Sequence, residues 1–348
     1  MTIERSDFGQ TADGKKVSAY RVTNSKGAYI TVIDFGAVLV DVVVPDRSGS
    51  MKDVVLGYHD VASYEKNPSY FGATVGRNAN RIEGGCFAID GVEYELTANE
   101  NGNNLHSGPD GYHLRMWETS LNEKNGCVSF TLNSPDGDQG FPGDFKVTVT
   151  YMLTEDNKVK IHYEGTASQD TIANMTNHSY FNLNGEGSGT IMEHYLRIDA
   201  DGYTPVDEHA IPYGTVEPVE GTPFDFRTAK KMSQDADAED EQLAHTGGYD
   251  HNFALNGSGL HVVAEAYSEE SGISMTVMTD QPGMQFYAGN FISGPVGKSG
   301  KTYGVREGFC LETQHFPNAV NVLAFDSPRL NAGERYSTTT CYTFGIKG

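Results

Sequence analysis

Along most of this chain apolar and polar residues alternate with a period of two, and the runs between them are rich in glycine. That period is the signature of half-buried β-strands. Residues 28–33 (Ala-Tyr-Ile-Thr-Val-Ile) and 38–44 (Val-Leu-Val-Asp-Val-Val-Val) open the pattern, and Pro-Asp-Arg-Ser-Gly at 45–49 turns the chain. Residues 87–96 predict a hairpin, because Asp90-Gly91 suits a two-residue turn that needs positive φ. Residues 145–151 alternate cleanly, and 159–164, 195–199 and 273–278 follow suit. A turn at Pro282-Gly283 leads into 284–290, and 336–346 closes the chain as a strand expected to be tied into a sheet. Helical signals are thin: one or two turns over 60–66, and a short acidic surface helix within 229–243. There is no internal repeat or interdomain linker, and forty glycines suit many short strands. The pattern predicts an all-β chain, one large antiparallel β-sandwich domain over residues 1–348, with few short helices. Loops 99–114 and 202–249 are long enough to be functional or mobile.

Two stretches carry chemistry within this pattern. Residues 176–184 read Thr-Asn-His-Ser-Tyr-Phe-Asn-Leu-Asn. If extended, one face carries Thr176, His178, Tyr180 and Asn182, and the other turns Phe181 and Leu183 to a core. Residues 308–320 read Gly-Phe-Cys-Leu-Glu-Thr-Gln-His-Phe-Pro-Asn-Ala-Val, with Cys310, Glu312 and Gln314 on one face and Phe309 and Leu311 on the other. A carboxylate and an imidazole are the minimum equipment for general acid–base chemistry on a neutral substrate. Taken alone, a single histidine in a strand is more often a structural group than a catalyst.

Composition narrows the partners. Twenty-five basic and 47 acidic residues give a formal charge of −22. Such a surface repels phosphate backbones and anionic lipid, so neither nucleic acid nor a membrane is an expected partner. No apolar run approaches membrane-spanning length, and the polar start Met-Thr-Ile-Glu-Arg-Ser-Asp-Phe does not resemble a signal peptide. We expect a cytoplasmic protein whose scattered Cys86, Cys127, Cys310 and Cys341 are free thiols without metal spacing.

Four further clusters share one chemical theme: Gly-Arg-Asn-Ala-Asn-Arg-Ile at 76–82, Asn-Asn-Leu-His-Ser-Gly at 103–108, Gly-Gly-Tyr-Asp-His-Asn-Phe at 247–253, and Pro-Gly-Met-Gln-Phe-Tyr at 282–287. Each has an ordinary structural reading. Paired arginines make ion pairs, loop histidines are solvated, and an aspartate in a turn bonds its own backbone. Together they hold what a sugar site needs: carboxylate, amide, imidazole and guanidinium for hydroxyls, and an aromatic for the apolar face of a pyranose.

With the stretches at 177–183 and 311–321, the first three of these clusters resemble, in content and order, the motifs of the galactose mutarotase (aldose 1-epimerase) family. The resemblance covers residues 36–348. Ser107 stands where the family commonly has glycine. The resemblance implies a large β-sandwich and no cofactor or metal. It implies His178 as general acid and Glu312 as general base. Arg77, His106 and Asp250 would be sugar-hydroxyl ligands, with Gln285 or Phe286 lining the pocket. Opening the cyclic hemiacetal removes a proton from the C1 hydroxyl and delivers one to the ring oxygen; closing on the other face reverses both. His178 must then hold its proton while Glu312 stays ionised, each charge favouring the other if they are close. The partner implied is a free hexose such as galactose or glucose, bound by a monomer or homodimer. Rival readings are a hexose 6-phosphate epimerase of the same fold, a sugar-binding module without turnover, and a glycoside hydrolase using Glu312 and Asp250.

Overall fold

A computed structural model describes residues 1–347. Its largest sheet has nine antiparallel strands, in the order Glu118–Asn122, Cys127–Ser134, Phe145–Leu153, Lys158–Ala167, Arg335–Ile346, Ile273–Thr279, His261–Tyr267, Tyr195–Ile198 and Lys230–Lys231. The C-terminal strand lies in the middle of this sheet, paired on both sides. Two five-stranded sheets complete the frame. One is a meander from Thr2–Gln10 to Met51–Asp53; the other runs Glu217–Pro218, Ala200–Tyr203, Asp250–Leu255, Gly283–Tyr287, Cys310–Gln314.

The period of two explains the layers. In Phe145–Leu153, Phe145, Val147, Val149, Tyr151 and Leu153 are buried while the intervening residues are not. Each buried large apolar side chain contributes about 1.5–3 kcal/mol, so a one-residue slip of this strand would be prohibitive. The same core takes Val22, Ile30 and Leu39 from the first five-stranded sheet and Phe253, Phe286 and Leu311 from the second. The nine-stranded sheet therefore backs onto both. A second cluster, including Val38, Phe71, Tyr180, Tyr287, Tyr303 and Cys310, supports the strands that carry the pocket.

The hairpin forms as expected: Cys86–Ile89 pairs with Val92–Glu95, with Asp90 at φ 51° and Gly91 at φ 81°. Val61–Tyr64 makes one helical turn, capped by the Asp60 carboxylate on the Ser63 N–H. The second helix lies later than expected. Residues 229–240 hold a short strand and turns, and the helix is Glu241–Thr246, beginning where Asp240 bonds the Gln242 and Leu243 N–H groups. The run at 176–184 is regular strand only over Thr176–His178. Beyond it, Phe181 continues the pairing through isolated bridges to Val55 and Phe309. All four cysteines are free, and three of them are buried.

Candidate active site

The pocket floor is built by register. Glu312 lies opposite Gln285, and Gln285 opposite Asn252. One step along, Cys310, Tyr287 and Asp250 form the next row. Cross-strand partners share a face, so Asp250, Asn252, Gln285, Tyr287, Cys310, Glu312 and Gln314 all point one way. Phe253, Phe286 and Leu311 point the other way, into the core.

A third element brings the imidazole. The strand Thr176–His178 pairs with Ala73–Val75 and ends with His178 over this floor. The His178 ring is flanked by two nearly parallel tyrosines, Tyr180 at 5.1 Å and Tyr70 at 5.7 Å between centroids. Its Nδ1 lies 3.5 Å from the Cys310 thiol, and its Nε2 lies 3.5 Å from Glu312 Oε1. The second distance exceeds the roughly 2.7–2.9 Å of a charge-assisted bond. The two groups stand side by side in the pocket wall, and Glu312 Oε2, buried, has no partner.

Burial dominates the electrostatics. It pulls His178 down to about 3, with a small push from His113 in the same direction. It lifts Glu312 well above the usual carboxylate range; the neighbouring Asp250 adds to this and Arg81 opposes it. The expectation that each charge would sustain the other is therefore corrected: burial dominates, and each group is pushed toward its neutral form.

His106 enters from loop 99–114, at φ 52°, followed by Ser107 at φ 70°. Glycine is the ordinary residue for such a backbone. Here the Ser107 hydroxyl compensates by accepting the Asn78 N–H at 2.8 Å and donating to the Asn78 carbonyl at 3.1 Å. His106 Nδ1 accepts the Asn80 N–H at 3.1 Å, so the neutral ring carries its proton on Nε2 and donates from there. His106, His178 and Glu312 have potential ligand atoms within 4.8 Å of one another. A protonated Nε2 offers no lone pair, so this trio does not fit a metal.

Five of the seven expected site residues meet in this pocket: His178, Glu312, His106, Asp250 and Gln285. Two do not. Arg77 is buried away from it, bonded to the Pro142 and Gly143 carbonyls, Thr171, Ser134 and Tyr112, and stacked over Phe141 and Phe145. Arg81 lines the pocket instead, held by a bidentate bond to Glu100 at 2.6 and 2.7 Å. Phe286 is turned into the core against Tyr249 and Phe226 by strand parity. The aromatic lining is Tyr70, Tyr180, Tyr287 and Phe291. Tyr180 was legible from its parity with His178; Tyr287 shares the parity of Gln285 and is placed by register, and Tyr70 and Glu100 left no local signal. Loop 202–249 does not line the pocket.

The aldose 1-epimerase family model matches residues 18–343. The chain belongs to the aldose 1-epimerase family. It is 42% identical to the galactose mutarotase of Homo sapiens over 347 residues, 99% of each chain. It is 38% identical to the aldose 1-epimerase of Escherichia coli (strain K12) over 336 residues, 95% of this chain and 96% of that one. The crystal structure of the GalM/aldose epimerase homologue from C. elegans superposes with a TM-score of 0.88 at 32% identity, covering 94% of this chain and 98% of the other. An aldose 1-epimerase is an isomerase acting on sugars, and the β-sandwich of this chain is that of its family.

Proposed function

We propose that this chain interconverts the α and β anomers of free hexoses such as D-galactose and D-glucose, with His178 and Glu312 as the acid–base pair. The observation that carries the reading is that His178 Nε2 and Glu312 Oε1 lie side by side, 3.5 Å apart, in one pocket, on a floor with an unpaired buried carboxylate oxygen.

The pair needs one proton between its two members. With that proton on His178, Glu312 takes the C1 hydroxyl proton while His178 delivers its own to the ring oxygen, and the ring opens. The proton then resides on Glu312 and His178 is neutral, the arrangement burial favours. After rotation about C1–C2, Glu312 returns its proton to the carbonyl oxygen as His178 takes one from the C5 hydroxyl. Both arrangements are therefore visited in each turnover, and the buried site's preference for neutral groups stabilises the open-chain stage. His106, Arg81, Asp250 and Gln285 orient the hydroxyls, and Tyr70, Tyr180, Tyr287 or Phe291 meets the apolar face.

Charge argues for a neutral substrate. Three acidic side chains line the pocket, Glu100, Asp250 and Glu312, against one guanidinium, Arg81, already bound to Glu100 and so not free for a phosphate. A phosphorylated hexose would be repelled. A binding module has no use for an imidazole and a carboxyl set side by side, and a hydrolase reading leaves His178 without a role. A main core drawn from Tyr20 to Phe344 supports one domain over 1–348. Among the described residues no helix is long and apolar enough to cross a membrane. A cytoplasmic place in hexose metabolism, as a monomer or homodimer, is consistent with this reading.

The test is polarimetry on freshly dissolved α-D-galactose with the wild type and Glu312→Gln. Acceleration by the wild type alone establishes the activity and the base. No acceleration by either, with galactose still bound, favours the binding module. Competition by glucose 6-phosphate would revive the phosphorylated rival.

A further inference from the structure

Beneath the pocket a chain of side-chain amides crosses three strands. The Gln314 amide nitrogen donates to Gln285 Oε1 at 3.2 Å and to Asn252 Oδ1 at 3.2 Å. Gln285 in turn donates through Nε2 to Asp250 Oδ1 at 2.7 Å. Gln314 is wholly buried, and Asn252 and Gln285 nearly so. The space is reserved for them: a Cβ at Gly283 would come within 2.5 Å of Asn252 Oδ1.

The direction of this chain is set at one end. Burial raises the Asp250 carboxyl while Arg81 and the Gln285 bond oppose it, and its Oδ1 accepts the Gln285 NH₂ at 2.7 Å. That turns the Gln285 oxygen inward, where only a donor is tolerated. Gln314 supplies it, and both hydrogens of its amide are then committed to the two amide oxygens. Gln314 Oε1 and Asn252 Nδ2 are left without partners. These two buried orphans mark what the arrangement gives up to keep Gln285 facing the right way. Gln314 itself does not line the pocket.

The geometry points to Gln314 as a positioning residue, which locks the amide of Gln285 so that one oxygen of Asp250 is fixed and the other is left to accept a sugar hydroxyl. The inference rests on the reading of Asp250 as a sugar ligand. A positioning role in substrate binding predicts an effect on KM rather than on the proton transfers at His178 and Glu312.

The experiment measures kcat and KM for α-D-galactose by polarimetry in the wild type, Gln314→Met, Gln285→Met, the double variant, Gln314→Glu and Asp250→Asn, with a thermal melt of each. Gln314→Met keeps the volume and removes the donor. KM should rise about tenfold, the size of one hydrogen bond in a network anchored on a charge, while kcat changes less than about threefold. Because Gln314 acts through Gln285, the double variant should be no worse than Gln285→Met alone. Gln314→Glu is close in shape and accepts instead of donating. It should turn the Gln285 amide round, set oxygen against the Asp250 carboxylate, and raise KM more than the methionine does. This variant carries the test if Gln314→Met does not fold. The inference is overturned if kcat falls with KM unchanged, if the effects of the two single methionine variants multiply, or if Gln314→Glu is milder than Gln314→Met. If Asp250→Asn retains the wild-type KM, the reading of Asp250 falls, whatever Gln314 does.

Discussion

Replacing Arg77 by methionine should unfold the protein more easily without changing how the folded enzyme holds a sugar. The guanidinium makes five bonds: Nε to the Tyr112 hydroxyl at 3.3 Å, Nη1 to the Pro142 and Gly143 carbonyls and Thr171 at 2.8, 3.0 and 3.2 Å, and Nη2 to Ser134 at 2.7 Å. Methionine fills the aliphatic stem and leaves two carbonyls and three hydroxyls short of a partner. A buried group left unsatisfied costs about 1–3 kcal/mol, but removing the charge also removes its own desolvation penalty. The hydroxyls can rotate to other acceptors, so the two carbonyls dominate, and the net cost comes to about 4 kcal/mol. With roughly 2.1 cal/mol/K of unfolding entropy per residue, 348 residues give about 0.73 kcal/mol/K, and the melting temperature should drop by about 5 °C. Differential scanning calorimetry reads the shift, and polarimetry below the transition reads KM. Arg81→Met should do the reverse, raising KM with a smaller change in melting, since its guanidinium lines the pocket. An Arg77→Met protein that melts like wild type but has lost galactose binding would refute the assignment of the two arginines.

Glu312→Gln should fold normally and lose about 10²–10⁴-fold in kcat, the usual weight of one acid–base group, by polarimetry. The profile of kcat/KM against pH should be a bell. Its acid limb reports a second proton entering the pair and should lie below the ordinary imidazole value of about 6.5, since His178 is pulled down to about 3; an acid limb centred at the ordinary value would refute the dominance of burial. His194 is buried and also lowered, to about 4, so the unfolded chain binds its proton first as pH falls. The stability this neutral group contributes is present above about pH 6.5 and is lost toward pH 4; His194→Gln should flatten the fall in unfolding free energy by about 1.4 kcal/mol per pH unit, read from denaturant titrations. Ser107→Ala keeps the positive φ and deletes the two bonds to Asn78, so it should cost about 1–2 kcal/mol in urea denaturation and raise KM by loosening His106.

Strand parity was the strongest guide the sequence offered, and its failures are instructive. It separated Glu312 from Leu311 and His178 from Phe181 correctly, because a period of two leaves no intermediate position. It also placed Gln285 and Phe286 on opposite faces. Only register against Glu312 and Asp250 decides which of them meets the pocket. Arg77 and Arg81 are four apart in a segment of turns, where parity has no meaning. What separates them lies elsewhere in the chain. The Pro142 and Gly143 carbonyls and Ser134 capture the first, and Glu100 draws the second to the pocket. A guanidinium follows the nearest set of acceptors, and acceptors sixty residues away leave no local trace. The same holds for the His178–Glu312 pair. Its residue types were legible, yet the protonation it prefers is set by how completely three strands and the Tyr70 loop exclude water. An acid and a base named from a motif are roles in a reaction; which of them holds the proton at rest is a property of the fold around them.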